Sequence, residues 1–218
     1  MSAKSGGGKN KAGAAGLRAR LLAGAQVMNA PLTEAGADKL LEYLRLLDKW
    51  NKRFSLSGVS GIGEMLDRHV LDSLSVASRI GGETIVDAGS GAGLPGIPLA
   101  VLFPGKHFVL VDSNGKKARF LFQAKLDLDL TNVSVEHCRI EDYGGPADLV
   151  VCRALATLAE CAAKTQHILS RGATLLAMKG RHPGSELARL PDPFTVDFME
   201  RVHVPGASNR HVVGIATK

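Results

Sequence analysis

Thr84-Ile85-Val86-Asp87-Ala88-Gly89-Ser90-Gly91-Ala92-Gly93-Leu94-Pro95-Gly96 is the stretch that decides the fold. Its apolar start reads as a buried strand. The glycines make a tight turn, and Ile97–Phe103 continues as a helix. Gly91, Gly93 and Gly96 spell G-x-G-x-x-G, the mark of a nucleotide-binding strand–turn–helix. A dinucleotide with its pyrophosphate at the helix N-terminus is one reading.

Two features favour a ligand without phosphates. Asp87, two residues before Gly89, would repel a pyrophosphate, and Pro95 and Pro98 remove N–H donors from the first helical turn. S-adenosylmethionine suits such a loop: its ammonium matches Asp87, and its carboxylate matches the remaining N–H groups. Gly89, Gly91, Gly93 and Leu94 would surround it. A ligand-free turn would give up folding entropy at four glycines for no packing return.

Downstream, strands and helices alternate. Strands are expected at Thr84–Asp87, Phe108–Asp112, Val133–Glu136, Asp148–Cys152 and Ala173–Met178, with helices at Ile97–Phe103, Lys116–Leu126 and Thr157–Leu169. Such alternation implies parallel strands with right-handed crossovers. Phe194–Val204 and His211–Thr217 are separated by too short a loop for a crossover, so they pair antiparallel. The fold class is α/β: a Rossmann-like doubly wound sheet of the class I methyltransferase type, with five parallel strands and a C-terminal antiparallel hairpin.

Upstream, helical spacing of Leu40, Leu41, Leu44 and Leu47 marks residues 34–53, flanked by helices at Leu17–Met28 and about Glu64–Arg79. These form an N-terminal helical cap over 17–80, which joins the 81–218 domain in one globular unit. Residues 1–16, rich in Gly, Ala and Lys, read as a disordered basic tail. Residues 1–20 carry +5 of the net +6, so the body is nearly neutral and any RNA surface is local. The tail reads as solubilising in preference to an RNA tether, and no clear cleavage signal marks it as a transit peptide. The three cysteines form no CxxC pair, which points to free thiols in a reducing, cytoplasmic setting. No metal site and no membrane span are expected.

Further candidates lie at the carboxyl ends of the later strands. Asp112, 19 residues after Gly93, can accept both ribose hydroxyls. Ile140 is placed to lie against an adenine, with Glu141 or the backbone reading its edge; an ordinary turn there is an equal alternative. Lys116, Arg139, Lys179 and Arg210 converge on the same rim, where an RNA phosphate track would run. His69 and Asp72 share one helical face, with His69 read as structural. Trp50 reads as packing between cap and sheet.

Several strings resemble a known family in order along the chain: Arg68-His69-Val70-Leu71-Asp72-Ser73, Leu94-Pro95-Gly96-Ile97-Pro98, Lys116-Lys117-Ala118-Arg119-Phe120-Leu121, Cys152-Arg153-Ala154, Met178-Lys179-Gly180 and Arg210-His211-Val212-Val213. They are similar to the bacterial 16S rRNA guanine-N7 methyltransferases of the small ribosomal subunit, the glucose-inhibited division protein B family. The resemblance covers about residues 46–217. It implies S-adenosylmethionine as cofactor and one guanine of 16S rRNA near the decoding site as target. It also implies that Gly89, Leu94, Ile140, Glu141 and Arg153 touch the cofactor, and that Arg139, Lys179 and Arg210 lie near the active site.

The residues agree with that chemistry. Guanine N7 offers a lone pair without deprotonation, so no general base is expected and the work is positioning. Arg153, at the end of the fourth strand, is the positioning candidate. The segment Val151-Cys152-Arg153-Ala154-Leu155 lacks the Asn/Asp-Pro-Pro-aromatic string of amino-methylating enzymes. Cys152, among valines, reads as a structural thiol and not as a nucleophile. The substrate is then free 16S rRNA or the small subunit, and the enzyme a monomer. The alternatives are a cofactor-binding rRNA assembly factor without activity and an NAD-dependent oxidoreductase.

Overall fold

The computed structural model describes residues 6–218. Helix α1 spans Gly6–Val27 and α2 spans Glu34–Phe54. Residues 6–16, expected as a disordered arm, thus continue α1. Alanine and lysine propagate a helix well once Leu21 has anchored its far end in the core. Nothing lies within 4 Å of the Cβ position at Gly13 or Gly16. The rest of the expected tail, residues 1–5, lies outside the described residues.

Helix α2 starts at Thr33, whose side chain accepts from the Gly36 N–H. Its apolar face buries Leu40, Leu41, Leu44 and Leu47. The single helix expected at 64–79 is broken into pieces. α3 (Ile62–Met65) runs into a π-helical segment (Leu66–Leu71), then α4 (Asp72–Leu74), and a 3-10 turn follows at Ala77–Arg79. The π segment carries Arg68 and His69, and Asp72 follows it directly.

The sheet has seven strands: β1 (Thr84–Ala88), β2 (His107–Val111), β3 (Val133–Glu136), β4 (Leu149–Arg153), β5 (Thr174–Lys179), β6 (Phe194–Arg201) and β7 (His211–Thr217). Their order is β3-β2-β1-β4-β5-β7-β6. The first five are parallel, and β7 inserts antiparallel between β5 and β6. β6 ends at Arg201, short of the expected Val204, which makes only an isolated bridge to Ala207. The intervening helices are α5 (Gly96–Leu102), α6 (Gly115–Asp127), α7 (Leu158–Leu169) and the short α8 (Gly184–Leu187).

Alternating side chains send each strand into two cores. Ile85 of β1 joins the cap, α5 and α6, whereas Val86 joins the layer beneath α7. Trp50 packs as expected: its ring meets Phe120 of α6 at 5.6 Å, edge-on. Cys152 is buried in the α7 layer, as a structural thiol should be. No helix among the described residues is long and apolar enough to cross a membrane.

Candidate active site

The sheet order reverses at β1: the chain goes to β2 on one side and returns to β4 on the other. A crevice therefore opens at the carboxyl ends of these strands, where doubly wound folds bind ligands. The glycine loop forms its floor. Gly89 and Ser90 donate N–H bonds to Val111 O at 2.9 and 3.0 Å, and Gly91 N–H donates to Asp112 Oδ2 at 2.8 Å. Asp112 Oδ1 accepts from Asn114 N–H at 2.8 Å. The carboxylate is thus fixed between loop and helix α6 while each oxygen keeps a lone pair.

Two residues expected to contact the ligand, Asp87 and Gly93, line none of the cavities of the crevice. Asp87 is fully buried below the loop, and its Oδ2 accepts from Gly96 N–H at 2.8 Å. It braces the turn and lines none of the three cavities described next. Its Oδ1 has no partner, and burial pushes its pKa up to about 7. Gly93 (φ +84°) also turns inward, with Ile97 and Leu121 against its Cβ position. Gly91 (φ +60°) is the loop glycine with no close neighbour: Gly89 O at 3.9 Å and Lys117 Nζ at 4.0 Å make only ordinary contact with its Cβ position. Glycine at both positions answers the left-handed backbone that a tight turn needs.

Three cavities run along the crevice, and Ala154 borders all of them. The first, about 430 Å³, is lined by Gly89, Asp112, Lys117, Arg139, Ile140 and Glu141, among others. The second, about 220 Å³, lies over Gly91 and Leu94 beneath Ser57, His69 and Arg153. The third, about 300 Å³, lies beyond Arg153 towards β5 and β7, among His69, Asp72, Met178, Lys179, Arg210 and His211. Ala154 holds a left-handed φ of +53°, which is uncommon for a residue with a Cβ and clusters at functional sites.

Arg153 forms the wall between the second and third cavities. Its side chain is 17% exposed and donates to Asp72 Oδ2 at 2.9 Å and to Arg68 O at 3.2 Å. Arg210 donates from Nε to the other oxygen of Asp72 at 2.5 Å. One carboxylate from the cap thus aligns two guanidiniums from β4 and the start of β7. His69 bridges Ser57 Oγ at 2.6 Å and Arg68 O at 3.0 Å. Burial first, then Arg153, lowers its pKa to about 4, so the ring is neutral at pH 7. Both its nitrogens are occupied, which fits the structural role read from the sequence.

The basic residues expected on one rim divide. Arg210 borders the third cavity as expected. Lys179 also borders it, but its ammonium donates to Ala156 O at 2.9 Å and to Glu186 at 2.8 Å, so it ties down the loop after β4. Arg139 is exposed on the first cavity, away from Arg153 and Arg210. Lys116 is exposed and borders no cavity described above; its neighbour Lys117 borders the first two and lies 3.8 Å from Asp112. Helical phase decides between adjacent lysines, and the sequence carries no mark of it. Ile140 is buried at the first cavity, and Glu141 pairs with Lys164 at 2.7 Å, which holds its carboxyl below the usual range.

Sequence reasoning missed Ser57, Lys117, Ala154 and the junction role of Asp72. The Arg68–Ser73 string and the helical face shared with His69 pointed at Asp72, but neither could pair it with residues 81 and 138 positions away.

The family model described as rRNA small subunit methyltransferase G matches residues 37–213. A relative from Ectopseudomonas mendocina, called ribosomal RNA small subunit methyltransferase G, is 46% identical over 198 residues, covering 88% of this chain and 92% of its own. One of the same name from Nitrosococcus oceani is 45% identical, covering 87% and 90%. Among solved structures, magnesium protoporphyrin IX methyltransferase from Synechocystis with bound SAM is similar with TM-score 0.56 at 16% identity, covering 80% of this chain and 97% of its own. A SAM-dependent methyltransferase from Aquifex aeolicus gives 0.52 at 18% identity, with the same coverage. These two likenesses concern the fold.

Proposed function

This chain belongs to the rRNA small subunit methyltransferase G family, and from that premise we propose that it transfers the methyl group of S-adenosylmethionine to N7 of one guanine in 16S rRNA. The family places it among methyltransferases and not among NAD-dependent oxidoreductases. The observation that carries the reading is the shared wall of Arg153 and Ala154 between a cofactor-sized crevice and a base-sized pocket.

The residues fit the cofactor. A cavity of about 430 Å³ is within the range of small-molecule sites. Asp112 borders it as a ribose partner, Ile140 offers an apolar face to adenine, and the second cavity over Gly91 leaves room for the methionine end. S-adenosylmethionine supplies an electrophilic methyl group on a sulfonium.

The chain's own residues then position the base. The third cavity receives it with N7 turned towards Ala154. Val59, Val76, Met178 and Val202 supply apolar walls that exclude water. Arg153 and Arg210 stand beside a base that gains positive charge. The Asp72 carboxylate between them offsets part of that repulsion and holds both in place. No group needs to remove a proton, which agrees with a neutral His69 engaged at both nitrogens. Positioning of the base against the methyl donor, not acid–base chemistry, carries the rate. The enzyme is read as a cytoplasmic monomer that acts on 16S rRNA or the small subunit.

The test is methyl transfer from labelled S-adenosylmethionine to 16S rRNA and to small subunits that lack the modification, with N7-methylguanine mapped by chemical cleavage. One N7-methylguanine in 16S rRNA is the expected product. Label on an exocyclic amine or on cytosine would refute the N7 reading. Cofactor binding without transfer to either substrate would favour an inactive assembly factor.

A further inference from the structure

The polar side chains around the third cavity are nearly all engaged by the protein itself. Arg68 holds Glu64, His69 holds Ser57, Arg153 and Arg210 hold Asp72, and Lys179 holds Glu186. His211 is the exception. It is 9% exposed, it borders the cavity, and its Nδ1 is buried with no partner. Buried polar atoms are rarely left unpaired, and an exception asks for a reason.

Its chemistry is constrained further. The ring of His182 stands edge-on to it at 5.2 Å. Burial first, then the neighbouring His182 and Arg201, pushes its pKa below the usual histidine value. The imidazole is therefore neutral at pH 7 and carries one N–H. A buried unpartnered N–H is rarer and costlier than a buried bare lone pair. The proton accordingly sits on Nε2, not on Nδ1. His211 thus offers one uncharged ring donor beside the cationic side chains of Arg68, Arg153, Lys179 and Arg210.

We propose that His211 determines base identity by donating a hydrogen bond from Nε2 to O6 of the target guanine. The proposal rests on the N7 reading above and deepens it. β7 lies two strand spacings from β4, about 10 Å, with His211 in register with Lys179 and Arg153 with Met178. An imidazole, one hydrogen bond and the short O6–N7 edge of guanine together bridge that gap. N7 then faces Ala154 and the cofactor cavity behind it. Adenine presents an amino group where guanine presents O6, so a donor there rejects it. A neutral donor also adds no charge beside a base that becomes cationic.

The test pairs a protein change with an atomic change in the RNA. Small subunits are reconstituted with guanine or 2-aminopurine, which lacks O6, at the target position. Wild-type kcat/KM should fall at least about tenfold on 2-aminopurine, as sites built for a polar partner discriminate strongly. H211F should lose a similar factor on guanine and show little further loss on 2-aminopurine. H211Q, which keeps an amide donor near the Nε2 position, should recover part of the discrimination. A purely structural role would lower both substrates alike and leave the ratio unchanged; that result overturns the proposal. So does a wild-type enzyme indifferent to O6, which needs no variant at all. Failure of the wild type to make N7-methylguanine on the native target would refute the N7 reading itself, and His211's role with it.

Discussion

Asp72 binds Arg153 across the boundary between cap and sheet, Oδ2 to the guanidinium at 2.9 Å, while its other oxygen holds Arg210 at 2.5 Å. The carboxylate is 6% exposed, so neither bond is a loose surface pair. Three distant segments meet at this one side chain, and the wall of the base pocket depends on it.

Asp72→Asn should therefore keep the fold but loosen both arginines. An amide cannot accept from two cations with both of its ends. Misplacement of positioning groups by an ångström costs about 100-fold in rate, and a loss of that order in kcat/KM on unmodified small subunits is expected. Circular dichroism should be unchanged. Wild-type kcat/KM in this variant would show the clamp to be dispensable.

Arg153→Ala should abolish methylation with the fold intact, because the side chain forms the wall between the second and third cavities, where the proposed methyl donor and base would meet. Arg153→Lys should not rescue, since a point ammonium lacks the planar guanidinium whose Nη1 holds Asp72 and Arg68 O while Nη2 extends the wall to within 3.5 Å of His69. Single-turnover transfer alongside calorimetric cofactor binding separates lost transfer from lost cofactor binding. Full activity in Arg153→Ala sinks its assigned role.

The loop glycines should separate by consequence. Gly93→Ala drives a methyl group into Ile97 and Leu121, so it should lower Tm. Gly91→Ala meets only ordinary contacts, Gly89 O at 3.9 Å and Lys117 Nζ at 4.0 Å, and carries chiefly the cost of left-handed backbone, about 1–2 kcal/mol. Its main effect should be a weaker cofactor Kd. Equal thermal loss in both variants would contradict this division.

Asp87 makes stability depend on pH. Its folded pKa, near 7, lies above the unfolded value near 4. The folded state then holds the proton more tightly, so stability is fullest at low pH and falls as pH rises through that window, by up to about 1.4 kcal/mol per pH unit. Asp87→Asn imitates the protonated form and keeps an acceptor for Gly96 N–H. Its melting temperature should fall less than wild type's between pH 5 and 8. Parallel curves for the two proteins would rule out this origin.

The order of elements was legible in the sequence because each carried its own local mark. Apolar runs set the strands, the leucine spacing set α2, and Thr157 with Glu160 capped α7. The glycine loop announced a ligand at the first strand end, and Asp112 and Ile140 duly line the first cavity. The π-helical turn at Leu66–Leu71 had no such mark, because its backbone depends on packing against α1 and not on residue type.

The sequence by itself determined the doubly wound fold, the crevice and the family, since periodicity, turn chemistry and motif spacing are local properties of the chain. Only the tertiary structure decided what each polar group does. It turned Asp87 inward as a brace, diverted Lys179 to Glu186, chose Lys117 over Lys116, joined Arg153 and Arg210 through Asp72, and left His211 without a partner. A side chain's role depends on burial and on partners distant in sequence, and those exist only once the sheet has brought the strand ends together.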